Sequence, residues 1–180
     1  MKIYTRKGDD GTTGLLYGGR VPKDSAQPTA YGTVDEAQAA IGVARSEATD
    51  PELDQLLVQL ERDLWVLMAE LATDPSNRHK LTAGQNLVTD EMVEHLEVLI
   101  DDVSARFDPP TEFVVPGQDR VSALLDVART VTRRAERDAI AAAVPASSVV
   151  PYLNRLSDLL WTLARWQEGT ALTSRSVESP

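Results

Sequence analysis

The sequence predicts an all-α protein built as a five-helix bundle. Five long segments repeat apolar side chains every three or four residues, which is the spacing of one face of an α-helix. Runs that alternate apolar and polar residues, as half-buried strands do, are scarce. Amphipathic helices of this kind bury their apolar faces against one another, and 180 residues are enough for one domain with a full core.

The first two predicted helices follow a linker rich in glycine and proline. Residues 29–47 carry small or apolar side chains on one face, among them Ile41. The next helix starts at Asp50 and Pro51, because aspartate caps a helix and proline fits its first turn. Its wide leucine stripe over residues 53–71 predicts a deeply packed helix.

The third predicted helix lies between a polar loop and a proline pair. Residues 73–89 are polar and contain proline and glycine, which predicts a loop. Thr89 caps the helix that follows, and Pro109 with Pro110 ends it. The next residues, 113–117 (FVVPG), predict a short extended segment that closes in a turn.

The last two helices and the chain ends complete a single predicted domain over residues 1–180. The fourth helix should run from about residue 119 to 142, and the fifth from about 149 to 170. The domain then divides into an N-terminal loop over residues 1–28, a helical bundle over 29–171 and a flexible tail over 172–180.

Composition restricts the class of function. The chain has no cysteine, which excludes disulfides, thiolate metal sites and a cysteine nucleophile. Its formal charge of −10 argues against general binding to nucleic acid or to a membrane surface. No apolar run approaches the length of a membrane span, and no targeting segment is visible before the N-terminal loop. We therefore expect a soluble cytoplasmic protein.

Residues 5–14 (TRKGDDGTTG) have the composition of a phosphate-binding loop. Glycine permits positive φ and a close approach of the backbone to a ligand, and successive backbone N–H groups in such turns bind anions. The threonine hydroxyls add donors, while Arg6 and Lys7 add positive charge. The spacing matches neither a Walker A loop nor a dinucleotide-binding fingerprint. A flexible N-terminal arm is the alternative interpretation.

The predicted fourth helix carries arginines at four-residue spacing. At the helical turn angle, Arg129, Arg133 and Arg137 share a face with Glu136 and Asp126. A solvated helix face with i,i+4 ion pairs is the ordinary interpretation. A polyanion site is favoured by the acidity of the rest of the chain and by the suitability of arginine for bidentate phosphate contacts. The opposite face is predicted to pack into the bundle through Leu124, Val127, Ala128, Val131 and Ala135.

Three other positions stand out, each with a structural alternative. Asp35, near the start of the first helix, either holds an arginine in a buried ion pair or stabilises the helix dipole. Asn154 shares a polar face of the fifth helix with Arg155 and Asp158, as a ligand wall or as an interhelical hydrogen-bond network. Phe113 lies in a loop, where an aromatic ring is either a core plug or a functional wedge.

Four blocks of the chain occur in a combination typical of one enzyme family. They are residues 5–14 (TRKGDDGTTG), 31–36 (YGTVDE), 128–137 (ARTVTRRAER) and 152–160 (YLNRLSDLL). In this order they resemble the PduO-type cobalamin adenosyltransferases, which transfer the 5′-deoxyadenosyl group of ATP to cob(I)alamin and release triphosphate. The resemblance implies a five-helix bundle assembled as a homotrimer, with ATP between neighbouring subunits. Because cobalt is the nucleophile, no catalytic Cys, Ser or His is required.

The resemblance also implies roles for individual residues. Arg129, held by Asp35, would stabilise the departing triphosphate, and Phe113 would exclude the lower axial ligand from cobalt and so ease reduction to Co(I). Cobalamin would lie beside ATP, against Phe113, Tyr31 and Asp35. No metal ligands can be named, although Mg²⁺ is implied as the companion of ATP. The implied contacts of ATP are Thr5, Arg6, Lys7, Gly8, Asp9, Gly11, Thr12, Thr13, Gly14, Lys23, Arg129, Arg133, Glu136, Arg137 and Asn154.

The chain departs from the family pattern after Phe113. The usual Pro-Gly-Gly followed by a small hydroxyl residue is replaced here by residues 116–119 (PGQD), while Gln38 and Trp161 stand where asparagine and phenylalanine are common. These changes put the geometry of the cobalamin side in question more than that of the ATP side.

Partners and alternatives complete the expectations. The family implies a flavoprotein reductase that supplies electrons and an adenosylcobalamin-dependent mutase that uses the product. A non-catalytic carrier of cobalamin and ATP with the same fold is one alternative, but its phosphate loop should be damaged and this one is intact. A kinase is another, although no obvious general base lies beside the loop.

Overall fold

The computed structural model describes residues 3–176 as a helical bundle preceded by a small hairpin, which confirms the predicted all-α class. None of the helices described is long and apolar enough to cross a bilayer. In chain order the elements are β1 (Thr12–Gly14), β2 (Arg20–Pro22), α1 (Ala26–Glu47), α2 (Pro51–Leu71), a 3₁₀ helix (Pro75–Lys80), α3 (Asp90–Ser104), α4 (Arg120–Ile140) and α5 (Val149–Glu168).

The antiparallel hairpin of β1 and β2 lies inside the segment predicted as a loop. Gly14 pairs with Arg20 in its register. Each strand has only three residues, which is too short for an alternating pattern to be visible in the sequence. Residues 17–19 all have positive φ, so the connection turns sharply and brings the two strands together.

Side-chain caps fix the starts of three helices. Asp50 accepts a backbone N–H from the first turn of α2, Asp119 does the same for α4, and Thr89 for α3. The starts predicted for these helices are therefore confirmed. The first helix begins at Ala26, earlier than predicted. Pro28 does not prevent this start, because it lies in the first turn, where a missing N–H is tolerated.

The core lies where α1 and α5 each pack against two neighbours. α1 contacts α2 and α4, while α5 contacts α3 and α4, so α4 is enclosed between α1 and α5. Full burial of a leucine-sized side chain contributes roughly 1.5–3 kcal/mol, and all five helices supply at least one such residue. The largest completely buried side chains include Ile41, Leu53, Leu57, Leu64, Leu96, Leu125, Tyr152 and Leu156.

A buried carboxylate ties several loops to one end of the bundle. Glu70 is 5% exposed and accepts hydrogen bonds from the Arg78 guanidinium at 2.5 Å, the Val88 N–H at 2.7 Å and the Ser147 hydroxyl at 2.6 Å. These donors belong to the 3₁₀ helix, the segment before α3 and the segment before α5. The predicted polar loop over residues 73–89 is therefore anchored rather than free.

The predicted extended segment at residues 113–117 pairs with the chain that follows α5. The Val115 N–H donates to the Leu172 carbonyl and the Ser174 N–H donates to the Phe113 carbonyl, both at 2.8 Å. These two bonds hold the Phe113 segment beside the end of α5. Residues 177–180 of the predicted flexible tail lie outside the described residues.

Candidate functional site

A concave surface near the N-terminus brings together most of the predicted phosphate-binding loop. Every residue that lines it comes from the hairpin or its flanks, and three of them are cationic. Arg6, Asp9 and Gly11, which were also expected to contact ATP, are exposed and do not line it. Such a surface suits an anion. Its lining consists of Thr5, Lys7, Gly8, Thr12, Thr13, Gly14, Arg20 and Lys23.

Two glycines allow this loop to fold so tightly. Gly11 has φ +81°, a left-handed conformation that side-chain-bearing residues avoid, and its carbonyl accepts the Lys23 N–H at 2.9 Å. A Cβ placed on Gly8 would lie 3.1 Å from both Cε and Nζ of Lys23. The Lys23 ammonium therefore lies directly against the Gly8 backbone, where a loop-bound anion would meet it.

Arg20, which the sequence analysis did not select, organises the concavity. Its Nη2 donates to Thr12 Oγ1 at 2.5 Å and to the Lys7 carbonyl at 2.6 Å, and its Nε donates to Thr12 Oγ1 at 3.0 Å. Arg20 lies on β2, which faces β1 only once the hairpin has formed. The hairpin register was the signal needed to find it, and the short strands concealed that register.

The Thr12 hydroxyl is engaged within the chain. It donates to Asp10 Oδ1 at 2.8 Å, and the Thr12 N–H donates to the same oxygen at 2.9 Å. Both hydrogen bonds lower the pKa of Asp10 below its usual value, and the one from the Thr12 backbone N–H has the larger effect. Within residues 3–176, the Thr13 hydroxyl and the Lys7 and Lys23 ammonium groups make no hydrogen bond and remain available to a ligand.

The arginine face of α4 is exposed at Arg133 and Arg137 and partly buried at Arg129. Neither exposed arginine forms an ion pair within the described part of the chain, and Arg137 donates to the Arg133 carbonyl at 2.8 Å. Arg129 donates from Nε to Asp126 Oδ1 at 2.8 Å, and its terminal nitrogens make no hydrogen bond to residues 3–176. The face thus presents guanidinium donors that are free to bind an anion.

The expected pairing of Arg129 with Asp35 is not found within one chain. Arg129 pairs with Asp126, three residues before it on α4. Asp35 is exposed on α1 and forms no ion pair with any other residue of the described range 3–176. Since Asp35 has no ion-pair partner among residues 3–176, its predicted contact with an arginine remains a prediction for the assembled protein.

The predicted division of α4 into a packed and an exposed face is wrong at two positions. Asp126, assigned to the exposed face, is 5% exposed, while Val127, assigned to the packed face, is 53% exposed. The physical reason is that α4 is enclosed on two sides, by α1 and α5. Arg165 of α5 pairs with the Asp126 carboxylate at 2.7 Å and so accounts for its burial.

Glu136 and Asn154 join α4 to α5 beside the arginine face. The Asn154 amide donates to Glu136 Oε1 at 2.9 Å, and its oxygen accepts from Arg155 at 2.5 Å. Arg155 in turn pairs with Glu97 of α3 at 2.7 Å. Of the two interpretations of this polar face, the interhelical network is therefore present, and it holds Asn154 next to the predicted ATP contacts.

Phe113 is 88% exposed, so the interpretation of this ring as a core plug is wrong. It lines a concavity with Pro110, Glu112, Trp161 and Arg175. That surface combines apolar and charged side chains at the end of the bundle where the chain leaves α5. It is wide open to solvent, as a site for a large ligand would be.

The remaining predicted cobalamin contacts lie on α1. Tyr31 is half-buried against the core and Asp35 is exposed, and neither lines the Phe113 concavity or the N-terminal one. The departure at residues 116–119 is accommodated by a turn, since Gly117 has φ +119° and Asp119 caps α4 through the Ser122 N–H at 2.9 Å. The altered residues therefore form a regular start to α4.

Comparison with known proteins identifies the family. The cobalamin adenosyltransferase family model matches residues 3–167. The corrinoid adenosyltransferase of Citrobacter freundii is 44% identical over 172 residues, covering 94% of this chain and 96% of that protein. The corrinoid adenosyltransferase of Mycobacterium tuberculosis is 45% identical over 170 residues, covering 91% and 87%.

A third relative and a solved structure extend the comparison. The corrinoid adenosyltransferase PduO of Salmonella typhimurium is 38% identical over 95% of this chain, which spans about half (51%) of that longer protein. A variant PduO-type ATP:corrinoid adenosyltransferase from Lactobacillus reuteri, complexed with cobalamin and ATP, superimposes with a TM-score of 0.87 at 27% identity, covering 97% of each chain. With its hairpin, five helices and arginine-bearing α4, this chain belongs to the cobalamin adenosyltransferase family.

Proposed function

We propose that this protein transfers the 5′-deoxyadenosyl group of ATP to cob(I)alamin, giving adenosylcobalamin and triphosphate. Family membership and relatives named corrinoid adenosyltransferases support this activity. The observation that carries it is the arginine face of α4, where Arg129, Arg133 and Arg137 keep guanidinium donors free of partners among residues 3–176. A chain with a formal charge of −10 needs a reason to concentrate free cations in one place.

The chemistry assigns the protein an electrostatic and positioning task. The electron pair of Co(I) forms the Co–C bond to C5′ of ATP, and the electrons of the broken C5′–O bond leave with triphosphate. Negative charge grows on the leaving group, so fixed cations lower the barrier when they contact it more strongly in the transition state than in the substrate. Arg129 and Arg133 on α4, with Lys7 and Lys23 of the N-terminal concavity, are the groups we assign to that task.

ATP binding requires both groups of cations, yet they occupy separate elements. Among the described residues 3–176, all that line the concavity lie between residues 5 and 23, and none belongs to α4. We propose that a homotrimer completes the site, with the loop of one subunit facing the arginine face of the next. Exposed apolar side chains on α1 and α4, Val43, Val127 and Ile140, support subunit contacts there.

Mg²⁺ fits this site as a companion of the ATP phosphates. Within residues 3–176 no three acidic or histidine side chains cluster as a metal site would require. Mg²⁺ commonly uses one or two carboxylates, water and substrate phosphates, and Glu136 offers one carboxylate oxygen that the Asn154 amide leaves unused. We assign Glu136 to hold the hydrated ion, which would neutralise phosphate charge, and Asn154 to orient the Glu136 carboxylate through its amide N–H.

Cobalamin is assigned to the exposed ring of Phe113, with Tyr31 and Asp35 contributing from α1. The open concavity around Phe113 and the exposure of its ring support a large planar ligand. A ring stacked below cobalt would exclude the axial base and favour reduction to Co(I). We propose a flavoprotein as the source of electrons before this reaction and an adenosylcobalamin-dependent enzyme, such as a mutase, as the user of its product.

The test is an anaerobic assay with ATP, Mg²⁺ and chemically reduced cobalamin. We expect the absorbance change of Co–C bond formation, with triphosphate as the released product. A carrier would bind both ligands without that change, and a kinase would release ADP. Arg129→Ala should lose about 2–4 kcal/mol of transition-state stabilisation, whereas Arg62→Ala, an exposed arginine on α2, should retain activity. Equal activity of the two variants would remove Arg129 from the site.

A further inference from the structure

A row of charged side chains is buried between α4 and α5, directly behind Arg129. The side chains of Asp126, Arg165 and Glu168 are at most 6% exposed. Arg165 donates from Nη2 to Asp126 Oδ2 at 2.7 Å and to the Ser122 hydroxyl at 3.2 Å, and its Nε lies 3.0 Å from Glu168 Oε2. Two hydrogen bonds therefore fix Arg165 to α4, and Glu168 of its own helix adds an ion pair in which Nε makes no hydrogen bond.

Asp126 divides its two oxygens between two arginines. Oδ2 accepts from the buried Arg165, while Oδ1 accepts from Nε of Arg129 at 2.8 Å. The Arg129 side chain is 27% exposed, so it extends from the buried row to the surface. Its Nε is held and its terminal nitrogens are free of partners within residues 3–176. Among the three arginines of the α4 face, this one alone has a carboxylate partner in the described chain.

Stability alone is a poor explanation for the row. The desolvation cost of burying an ion pair offsets much of its Coulombic gain, and apolar residues of similar size often serve a fold equally well. Both helices already place fully buried apolar side chains in the core, among them Leu125 and Leu160. What the charged row adds is a fixed direction for the Arg129 guanidinium.

We propose that Asp126, anchored by Arg165 and Glu168, is a positioning residue that aims Arg129 at the triphosphate of ATP. The inference rests on the proposed transferase function. A flexible arginine must lose rotamer freedom each time it meets the leaving group, whereas one held at Nε has already lost it. Preorganised charge of this kind acts in the transition state, so the row should influence kcat through Arg129.

The experiment is a double-mutant cycle on Asp126→Asn and Arg129→Ala. Asp126→Asn replaces one carboxylate oxygen by an NH2 donor, so one of the two arginines loses the acceptor that it contacts in the native geometry. We expect Asp126→Asn to lower kcat by about tenfold in the wild-type background and to have no further effect when Arg129→Ala is present. If Asp126 only stabilised the fold, Asp126→Asn would lower kcat by the same factor in both backgrounds, and that result would overturn the proposal.

Arg165→Lys provides a second variant in case Asp126→Asn does not fold. Lysine keeps the buried charge but lacks the planar fork that contacts Asp126 and Glu168 together. Its loss of kcat should be smaller and should also vanish in the Arg129→Ala background. Glu70→Gln is the matched control, because it weakens a buried carboxylate–arginine pair with Arg78 at the loop end of the bundle. It should reduce stability without changing kcat.

The ATP affinities of the same four proteins of the cycle are measured by calorimetry, which needs no turnover. Coupling between Asp126 and Arg129 in ATP binding supports the positioning role, and its absence in both measurements overturns it. If the cycle shows coupling in ATP affinity but the wild-type protein never forms the Co–C bond, the result would count against the transferase function alone. A folded Asp126→Asn protein with wild-type kcat and ATP affinity would count against the positioning role alone.

Discussion

The exposure of the Phe113 ring points to a function, because the fold gives up the free energy that burial of the ring would contribute. Burying a phenylalanine contributes roughly 1.5–3 kcal/mol to a fold, yet this ring is 88% exposed while the segment that carries it is held by backbone hydrogen bonds to residues 172–174. The loop is thus restrained and the ring is left outside. An exposed ring in a restrained segment is consistent with the proposed role of shielding one face of cobalt.

Phe113→Ala should impair the reaction most when cob(II)alamin must be reduced on the protein. In its proposed role the ring acts on the coordination of cobalt, so supplying pre-formed cob(I)alamin should restore much of the rate, and ATP affinity should change little. Rates with the two cobalamin forms, together with ATP titrations, provide the measurement. Trp65→Ala is the control, because Trp65 is also exposed (64%) but lies on α2.

Equal losses with both cobalamin forms, accompanied by weaker ATP binding, would assign Phe113 a structural role instead.

At the scale of elements, the positions of the helices could be predicted from the sequence. Which residues at the edge of each helix face are buried could not. Periodicity and the caps Asp50, Thr89 and Asp119 locate α2, α3 and α4 because both signals are local. The burial of Asp126 depends on Arg165, which is 39 residues away. Arg20 escaped notice for the same reason, since its role depends on a hairpin with three-residue strands. Spacing predicts which residues share a helix face, whereas non-local partners decide which faces are buried.

The contact between α2 and α5 gives a prediction on alkaline stability. The Tyr152 hydroxyl, fully buried in α5, donates to Asp63 Oδ2 of α2 at 2.8 Å. Burial, reinforced by the Asp63 charge and hydrogen bond, raises the pKa of Tyr152 well above its usual 10.0. A folded pKa above the unfolded one means that stability is full below about pH 10 and falls as pH rises through the folded value.

Alkaline titration followed by tyrosine absorbance and by circular dichroism should therefore show a late absorbance step that accompanies the loss of helicity. Tyr152 should contribute this step, because the raised pKa of its buried hydroxyl delays ionisation until the fold opens. Tyr152→Phe should remove the late absorbance step. If the absorbance step that Tyr152→Phe removes occurs while the helices persist, Tyr152 ionises in the folded protein and the prediction is wrong.

At the scale of the whole molecule, the cations proposed to bind triphosphate lie on two separate surfaces of the chain. The concavity of the N-terminal hairpin holds Lys7, Arg20 and Lys23, and the α4 face holds Arg133 and Arg137 free of carboxylate partners within residues 3–176. A triphosphate placed against either surface alone would leave much of its charge in water. Closed rotational symmetry brings two different surfaces together at every interface of a ring, and the proposed trimer would unite these cations in this way.

Mixed assemblies test this arrangement directly. A loop variant, Thr12→Ala with Thr13→Ala, and a helix variant, Arg133→Ala, should each be poorly active alone because each damages one half of every site. Co-expressed, they should recover up to about a quarter of wild-type activity, since each interface draws its loop and its helix independently and one combination in four is intact. Co-expression of Arg129→Ala with Arg133→Ala should recover none, because both lie on α4 and damage the same half. Turnover of the mixed population and its mass by sedimentation equilibrium are the two measurements. A fully active monomer, or mixed trimers without recovery, would show that each site is built within a single chain.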